Sequence, residues 1–279
     1  LRPVYLGTSD FAAAILERLA ESEHRPALVV TRPDAPRGRG RKVSPPPVAD
    51  KARELGIELD QPLSVNDDEA RERIAAAAPD VLVVCAFGAL IKEPLLSDHE
   101  ILNVHPSLLP RWRGAAPLER AIMEGDEVTG VSIMQLTAGL DSGPVCLAEP
   151  EAIRATDTYG TLAPRLQELG GELLIRALTE RPRFVEQDEG QVTYADKIGP
   201  EDRTLDLSWP AERNERIVLA LTPHIGARIA LPDGSFLGVL AARAHDDGRL
   251  ELVEVQPAGG RPMSYADYLR GHDPVDGVA

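Results

Sequence analysis

The chain has 279 residues, a formal net charge of −15, and 43% hydrophobic and 27% charged residues, ordinary values for a globular protein with room for one large domain or a large and a small one. No apolar run reaches the roughly 20 residues needed to cross a bilayer, and no charged start with an apolar stretch and small-residue cleavage site opens the chain, so a cytoplasmic protein without a membrane partner is expected. The acidic balance excludes a wholesale nucleic-acid binder, whose affinity rests on clustered cations.

Pro3 to Gly7 reads as a strand, and Ser9 caps a helix whose Phe11, Ile15, Leu16 and Leu19 recur at helical spacing. Ala27 to Thr31 gives a second strand. Next comes a flexible cationic loop with Arg32, Arg37, Arg39, Arg41 and Lys42 against Asp34 alone, and with Gly38 and Gly40 interleaved. Pro47 to Leu55 reads as a helix closed by Gly56, and Asp67 to Ala78 as another. Val81 to Ala86 is an apolar run suited to a strand buried on both faces. Glu100 to Val104 is a strand, Ala116 to Glu124 a helix, Val131 to Leu136 a strand, and a helix from about Tyr159 to Thr179 closes the unit. This alternation predicts an α/β fold with a Rossmann-like, mostly parallel sheet. The first turn, GTSDFA, has one glycine where a dinucleotide site needs G-x-G-x-x-G, so no dinucleotide is expected.

From about Glu180 to Leu205 the chain is polar and irregular, as a linker is. A helix from Pro210 to Leu221 follows, then short strands at Ala227 to Leu231, Phe236 to Ala242 and Leu250 to Val255, which indicate a small β-barrel or sandwich. The expected division is a catalytic domain over 1–180, a linker over 181–204 and a small domain over 205–279. From residue 205 on there are 7 Lys/Arg against 11 Asp/Glu, a net charge of −4. Cys85 and Cys146 lie in apolar runs and read as core filling. Without a CxxC pair, a His/Cys cluster or an HExxH, no metal is expected.

The segment NVHPSLLPRWRG, Asn103 to Gly114, carries the densest chemistry. In a strand Asn103 and His105 share one face, so an amide and an imidazole reach one substrate atom. Both suit the stabilisation of a developing oxyanion. A bare Asn-x-His is also an ordinary strand end, and an Asp between glycines, as Asp141 is in AGLDSGP, an ordinary turn residue.

Together, however, Asn103, His105, Ser107, Leu108, Leu109 and Pro110, with Asp141 downstream, resemble the signature of the folate-dependent formyltransferases. The resemblance continues through TRPDAPRGRGRKVSPPPV, YADKIGPED and VQPAGGRPMSYADYLRG. It implies a formyltransferase domain followed by an OB-like barrel, 10-formyltetrahydrofolate as formyl donor, and initiator methionyl-tRNA as acceptor. It also implies that Asn103, His105 and Asp141 are catalytic. Ser107, Leu108, Leu109 and Pro110 would contact the folate, and Phe87, Gly88 and Ile91 would line its pterin pocket. Arg37, Arg39, Arg41 and Lys42 would enter the end of the acceptor stem, and Arg111 and Arg113 would either extend that cationic path or form structural salt bridges. A monomer without a metal is expected. His105 serves either as imidazolium or as the neutral tautomer whose other nitrogen Asp141 binds, and Asp141 orients it and accepts the amine proton. The acidic last domain departs from the basic surface of a tRNA grip. Three other readings stand beside this one: formylation of an amino-sugar nucleotide, which would have no use for the cationic loop; hydrolysis of the same folate; and an RNA-binding module with an inactive site.

Overall fold

The protein is described from a computed structural model over residues 1–37 and 42–279. Its contacts divide it into two compact units interleaved along the chain. Unit 1 comprises Leu1–Arg113, Gly130–Glu151 and Pro164–Thr193, and unit 2 comprises Gly114–Thr129, Ala152–Ala163 and Tyr194–Ala279.

In chain order the strands are β1 (Pro3–Gly7), β2 (Leu28–Val30), β3 (Ala35–Arg37), β4 (Lys42–Ser44), β5 (Leu59–Asp60), β6 (Val81–Cys85), β7 (Ile101–His105) and β8 (Arg113–Gly114). They continue as β9 (Val128–Gln135), β10 (Val145–Ala152), β11 (Tyr194–Ala195), β12 (Ala227–Ala230), β13 (Phe236–Ala244), β14 (Leu250–Gln256) and β15 (Met263–Ser264). The helices are α1 (Asp10–Glu21), α2 (Pro47–Glu54), α3 (Asp68–Ala76), α4 (Leu95–Asp98), α5 (Pro117–Glu124), α6 (Tyr159–Glu180), α7 (Ala211–Leu221) and α8 (Tyr265–Tyr268).

A seven-stranded sheet in the order β10-β9-β7-β6-β1-β2-β5 forms the centre of unit 1. The pairs β1–β2, β1–β6, β2–β5 and β6–β7 are parallel, and β9 runs antiparallel to β7. The mostly parallel sheet expected from the strand–helix alternation is therefore present. The Ser9 hydroxyl accepts from the Ala12 amide at 3.3 Å and so caps α1, whose Phe11, Ile15, Leu16 and Leu19 are buried.

Side-chain alternation sends β7 to both faces of the sheet. Ile101 joins Val4, Leu6, Leu28, Val30, Leu82, Val84, Phe87 and Ile91 in one buried cluster. Val104 points to the other face, where a Cβ added at Gly170 of α6 would lie 3.2 Å from Val104 and 3.1 Å from Ile15. Asn103 and His105 thus share the face of Ile101 but stand farther along, where the apolar cluster ends. Ligands of open α/β sheets bind at this carboxyl end of the parallel strands.

The structure adds elements that the sequence pattern does not predict. The cationic loop has antiparallel arms, β3 and β4, with Ala35 opposite Ser44 and Arg37 opposite Lys42. The sheet also gains β5 and β10 at its two edges. In β10 the sequence VCLAEPEA carries Pro150 and is nowhere fully buried, which disguises it as a loop; an edge position tolerates both features. Nor is the segment 181–204 merely a spacer: Val185 bridges Val145, and the Trp112 amide donates to Thr193 Oγ1 at 2.9 Å.

In unit 2, α7 presents buried Ile217, Val218 and Leu221, and an antiparallel sheet in the order β12-β13-β14-β15 buries Ile229, Leu237, Val239, Leu252 and Val255. The small β unit expected from the short strands is present. No helix among the described residues is long and apolar enough to cross a membrane.

Candidate active site

At the end of β7, Asn103 is 8% exposed and His105 4%. The Asn103 Nδ2 donates to Asp141 Oδ1 over 3.4 Å, and His105 Nδ1 stands 3.7 Å from Asp141 Oδ2. The three residues singled out from sequence therefore meet, although they come from β7 and from a turn 36 to 38 positions further along. Both distances exceed a tight hydrogen bond. Such contacts commonly close only when substrate is present.

The other His105 nitrogen settles the tautomer. Nε2 lies 2.8 Å from the Trp112 carbonyl oxygen, which only accepts, so Nε2 carries a proton and donates it. A backbone carbonyl thus holds the ring from its Nε2 side. Trp112 has a left-handed backbone, φ 67°, and that conformation helps turn its carbonyl back onto the imidazole. Nδ1 is left facing Asp141, with a lone pair in the neutral ring and a proton in the imidazolium.

The loop between His105 and Trp112 is tied down at every turn. Ser107 is fully buried; its hydroxyl donates to the Arg111 carbonyl at 2.6 Å, and its own carbonyl accepts from Ser132 Oγ at 2.7 Å. Ser132 stands opposite His105 on β9 and also accepts from the Leu109 amide at 3.1 Å. The Leu109–Pro110 bond is cis. The Ser107 side chain is therefore spent on the loop itself. Leu109 and Pro110 line a groove with Val145, Cys146, Leu147, Val185 and Gln187, and Leu108 packs against the bare Gly130, where an added Cβ would come within 2.6 Å of it.

Asp141 also has a left-handed backbone, φ 44°, and its turn is held from outside. Gln187 Nε2 donates to the carbonyls of Asp141 at 2.8 Å and Gly143 at 2.7 Å. Arg113 Nε in turn donates to Gln187 Oε1 at 3.0 Å, and the guanidinium pairs with Glu189 at 2.6 Å. Arg113 is 3% exposed. A buried charge without partners costs several kcal/mol, so this arginine is committed to its neighbours: of its two expected roles, the structural salt bridge holds. The same pairing keeps the Glu189 carboxyl below the usual carboxylate range. Arg111 lies over the Trp112 ring, 4.3 Å from its centroid.

Phe87 and Ile91 are 4% and 6% exposed and belong to the core cluster. Their side chains support the segment between them, where Gly88, with φ 71°, Ala89 and Leu90 are all exposed. The Phe87 carbonyl accepts from Thr8 Oγ1 at 2.7 Å, and the Gly88 carbonyl from Arg32 at 2.5 Å. Arg37 and Lys42 occupy facing positions on β3 and β4, while Arg39 and Arg41 lie outside the described residues. Cys85 is buried and its thiol is pushed up to about 12; Cys146 is partly buried and pushed up to about 11, both chiefly by desolvation.

Sequence reading missed Ser132, Gln187 and the Trp112 carbonyl. Ser132 leaves a faint signal, a lone hydroxyl inside the apolar run VSIM, which must find a partner once buried. Gln187 sits in a polar stretch that resembles a spacer, and a backbone carbonyl leaves no signal at all.

Residues 1–178 match the family model described as Formyl transferase. The methionyl-tRNA formyltransferase of Halorhodospira halophila is 41% identical over 309 residues, covering 99% of this chain and 98% of that protein. Among solved structures, a HypX variant from Aquifex aeolicus aligns with a TM-score of 0.69 at 18% identity, over 99% of this chain and 51% of that one. The methionyl-tRNA formyltransferase from Clostridium thermocellum aligns with a TM-score of 0.63 at 15% identity, over 95% of this chain and all of that one, 100%. The structural matches establish the same fold, and the sequence matches go further: the chain belongs to the formyl transferase family, among the methionyl-tRNA formyltransferases.

Proposed function

We propose that the protein transfers the formyl group of 10-formyltetrahydrofolate to the α-amino group of initiator methionyl-tRNA. The observation that carries this reading is the convergence of Asn103, His105 and Asp141 within 3.4 to 3.7 Å at the end of β7, in a chain 41% identical over 99% of its length to a methionyl-tRNA formyltransferase.

The exposed backbone around Gly88, on its buried Phe87 and Ile91 supports, offers polar edges over an apolar base and suits a flat heterocycle. We assign Leu108, Leu109 and Pro110 the apolar contacts to the folate, with Ser107 holding their loop. When bound, the folate supplies an activated formamide carbon. Asn103 Nδ2 is a neutral donor suited to hold the negative charge that grows on the formyl oxygen, and one such donor is worth about 10² to 10³ in rate. His105, its Nε2 proton fixed on the Trp112 carbonyl, works through Nδ1: as imidazolium it donates a second hydrogen bond to that oxygen, steadied by Asp141. Asp141 accepts the proton that the attacking amine loses, directly or through a water, a role worth about 10² to 10⁴. The proton then goes to the departing folate nitrogen as the formyl–folate bond breaks.

Arg37, Arg39, Arg41 and Lys42 are the cationic residues that we assign to the acceptor stem, whose unpaired end is the accessible part of the RNA. We read the domain order as catalytic over 1–180, connecting over 181–204 and accessory over 205–279, with the four-stranded sheet of the last part an OB-like barrel. The chain acts as a cytoplasmic monomer without a metal.

To test the reading, the protein is mixed with 10-formyltetrahydrofolate and, in parallel, methionyl-tRNA or an amino-sugar nucleotide. Formylated tRNA is expected. Formylated sugar without formylated tRNA overturns it.

A further inference from the structure

We infer that Gln187, itself held by Arg113, is a positioning residue for Asp141; this rests on the formyl-transfer reading above. The Gln187 amide is fully used. Its two N–H groups go to the carbonyls of Asp141 and Gly143, 2.8 and 2.7 Å away, and its oxygen accepts from Arg113 Nε at 3.0 Å. The orientation is not arbitrary: guanidinium nitrogens only donate and carbonyls only accept, so a flipped amide would set like against like on both sides. Arg113 is itself immobilised by burial and by Glu189, whose carboxylate it meets at 3.3 and 2.6 Å.

This clamp adds to the contacts across the turn itself, where the Gln135 amide donates to the Pro144 carbonyl at 2.9 Å and the Thr137 and Ser142 hydroxyls lie 3.5 Å apart. Asp141 takes a left-handed conformation, φ 44°, which Asp adopts more readily than most side chains but still at a cost, and the grip on its carbonyl favours that conformation. On the far side of the turn, Gly143 is pressed so close to β9 that a Cβ would lie 1.9 Å from the Gln135 carbonyl oxygen. Gln187 thus grips the two carbonyls that flank Ser142, and the direction of the Asp141 carboxylate toward Asn103 and His105 follows from that grip. Gln187 reaches the site only through backbone, so it acts on turnover without contacting the reacting atoms.

A double-mutant cycle with Asp141 separates this role from a general structural one. Gln187→Met removes all three hydrogen bonds at nearly constant shape. With 10-formyltetrahydrofolate and methionyl-tRNA, it should lower kcat about tenfold or more, since small displacements of a catalytic group are costly, while both KM values stay within about twofold. In the Asp141→Ala background the same change should alter kcat less than about twofold. Gln187→Asn keeps both donors on a shorter stem and should recover part of the loss. An equal fold-loss in both backgrounds overturns the inference, as does a raised KM with unchanged kcat, which would make Gln187 a substrate contact in the groove that it lines. If Gln187→Met fails to fold, the cycle is run with Gln187→Asn. If the wild type formylates no tRNA, the functional reading fails on its own, and crystal structures of wild type and Gln187→Met still decide this point. A displaced Asp141 turn supports the clamp, and an unmoved one overturns it.

Discussion

Asp141 combines three demands: a backbone in a disfavoured conformation, a carboxylate shared loosely between Asn103 and His105, and carbonyls gripped by Gln187. Asp141→Ala should lower turnover by about 10² or more in a protein that still folds; near-normal turnover would remove Asp141 from the mechanism. Gly143→Ala should also lower turnover, since its Cβ would sit 1.9 Å from the Gln135 oxygen and the turn must move to admit it. Full activity in that variant would show that the turn tolerates displacement. At Cys85, burial pushes the thiol up to about 12, so at pH 8 the native protein should resist alkylation there. Rapid labelling would mean that the β6 interior opens readily. At this scale the sequence was most legible where a side chain acts in its own right: Asn103, His105 and Asp141 are named by a motif. It was least legible where a residue acts through backbone, as with Gln187 on the Asp141 turn or the Trp112 carbonyl on His105. No pattern of side chains encodes which carbonyl a folded chain will bring to an imidazole.

Among the elements, β7 shows how one strand serves both core and chemistry. Ile101 is locked into the apolar cluster, and two residues later the same face becomes polar. The strands and helices that carry long periodic patterns, β1, α1, β6, α5 and α7, are found within a residue or two of where the pattern predicts them. Short or edge elements such as β5, α4, β10 and β15 escape because two to four residues hold no period and an edge strand need not alternate cleanly. In unit 2, Arg120 of α5 forms a two-pronged pair with Asp202 at 2.8 and 3.0 Å, with both side chains about one-fifth exposed. That pair holds the Asp202 carboxyl below its usual range. Because the folded-state value is depressed, the resulting stability is present above the unfolded carboxylate value, about pH 4, and is lost as pH falls through the folded one. Asp202→Asn should therefore be less stable than wild type near neutrality, by on the order of 1 kcal/mol, and the gap should shrink below about pH 4. Urea unfolding across that range checks it; a gap that is the same at neutral and acid pH contradicts the pairing.

Across the whole molecule the charge of −15 sets the terms on which the protein can meet an RNA. An acidic body repels phosphate, so affinity must come from local cations, and Arg113, one candidate in the sequence, is withdrawn into the interior by Gln187 and Glu189. Under the function proposed above, the cationic residues of the 37–42 segment are the ones assigned to the RNA. Replacing Arg39 and Arg41 together by Ser should weaken tRNA binding and reduce its logarithmic salt slope by about 1.5 to 2, by counterion release. Filter binding across a salt series measures this, and an unchanged slope would remove Arg39 and Arg41 from the tRNA contact. Single-turnover formyl transfer by Asn103→Ala, at saturating 10-formyltetrahydrofolate and methionyl-tRNA, decides whether the end of β7 is the reaction centre. The rate should fall by about 10² to 10³ in a protein that still folds; a rate within twofold of wild type would place the chemistry elsewhere.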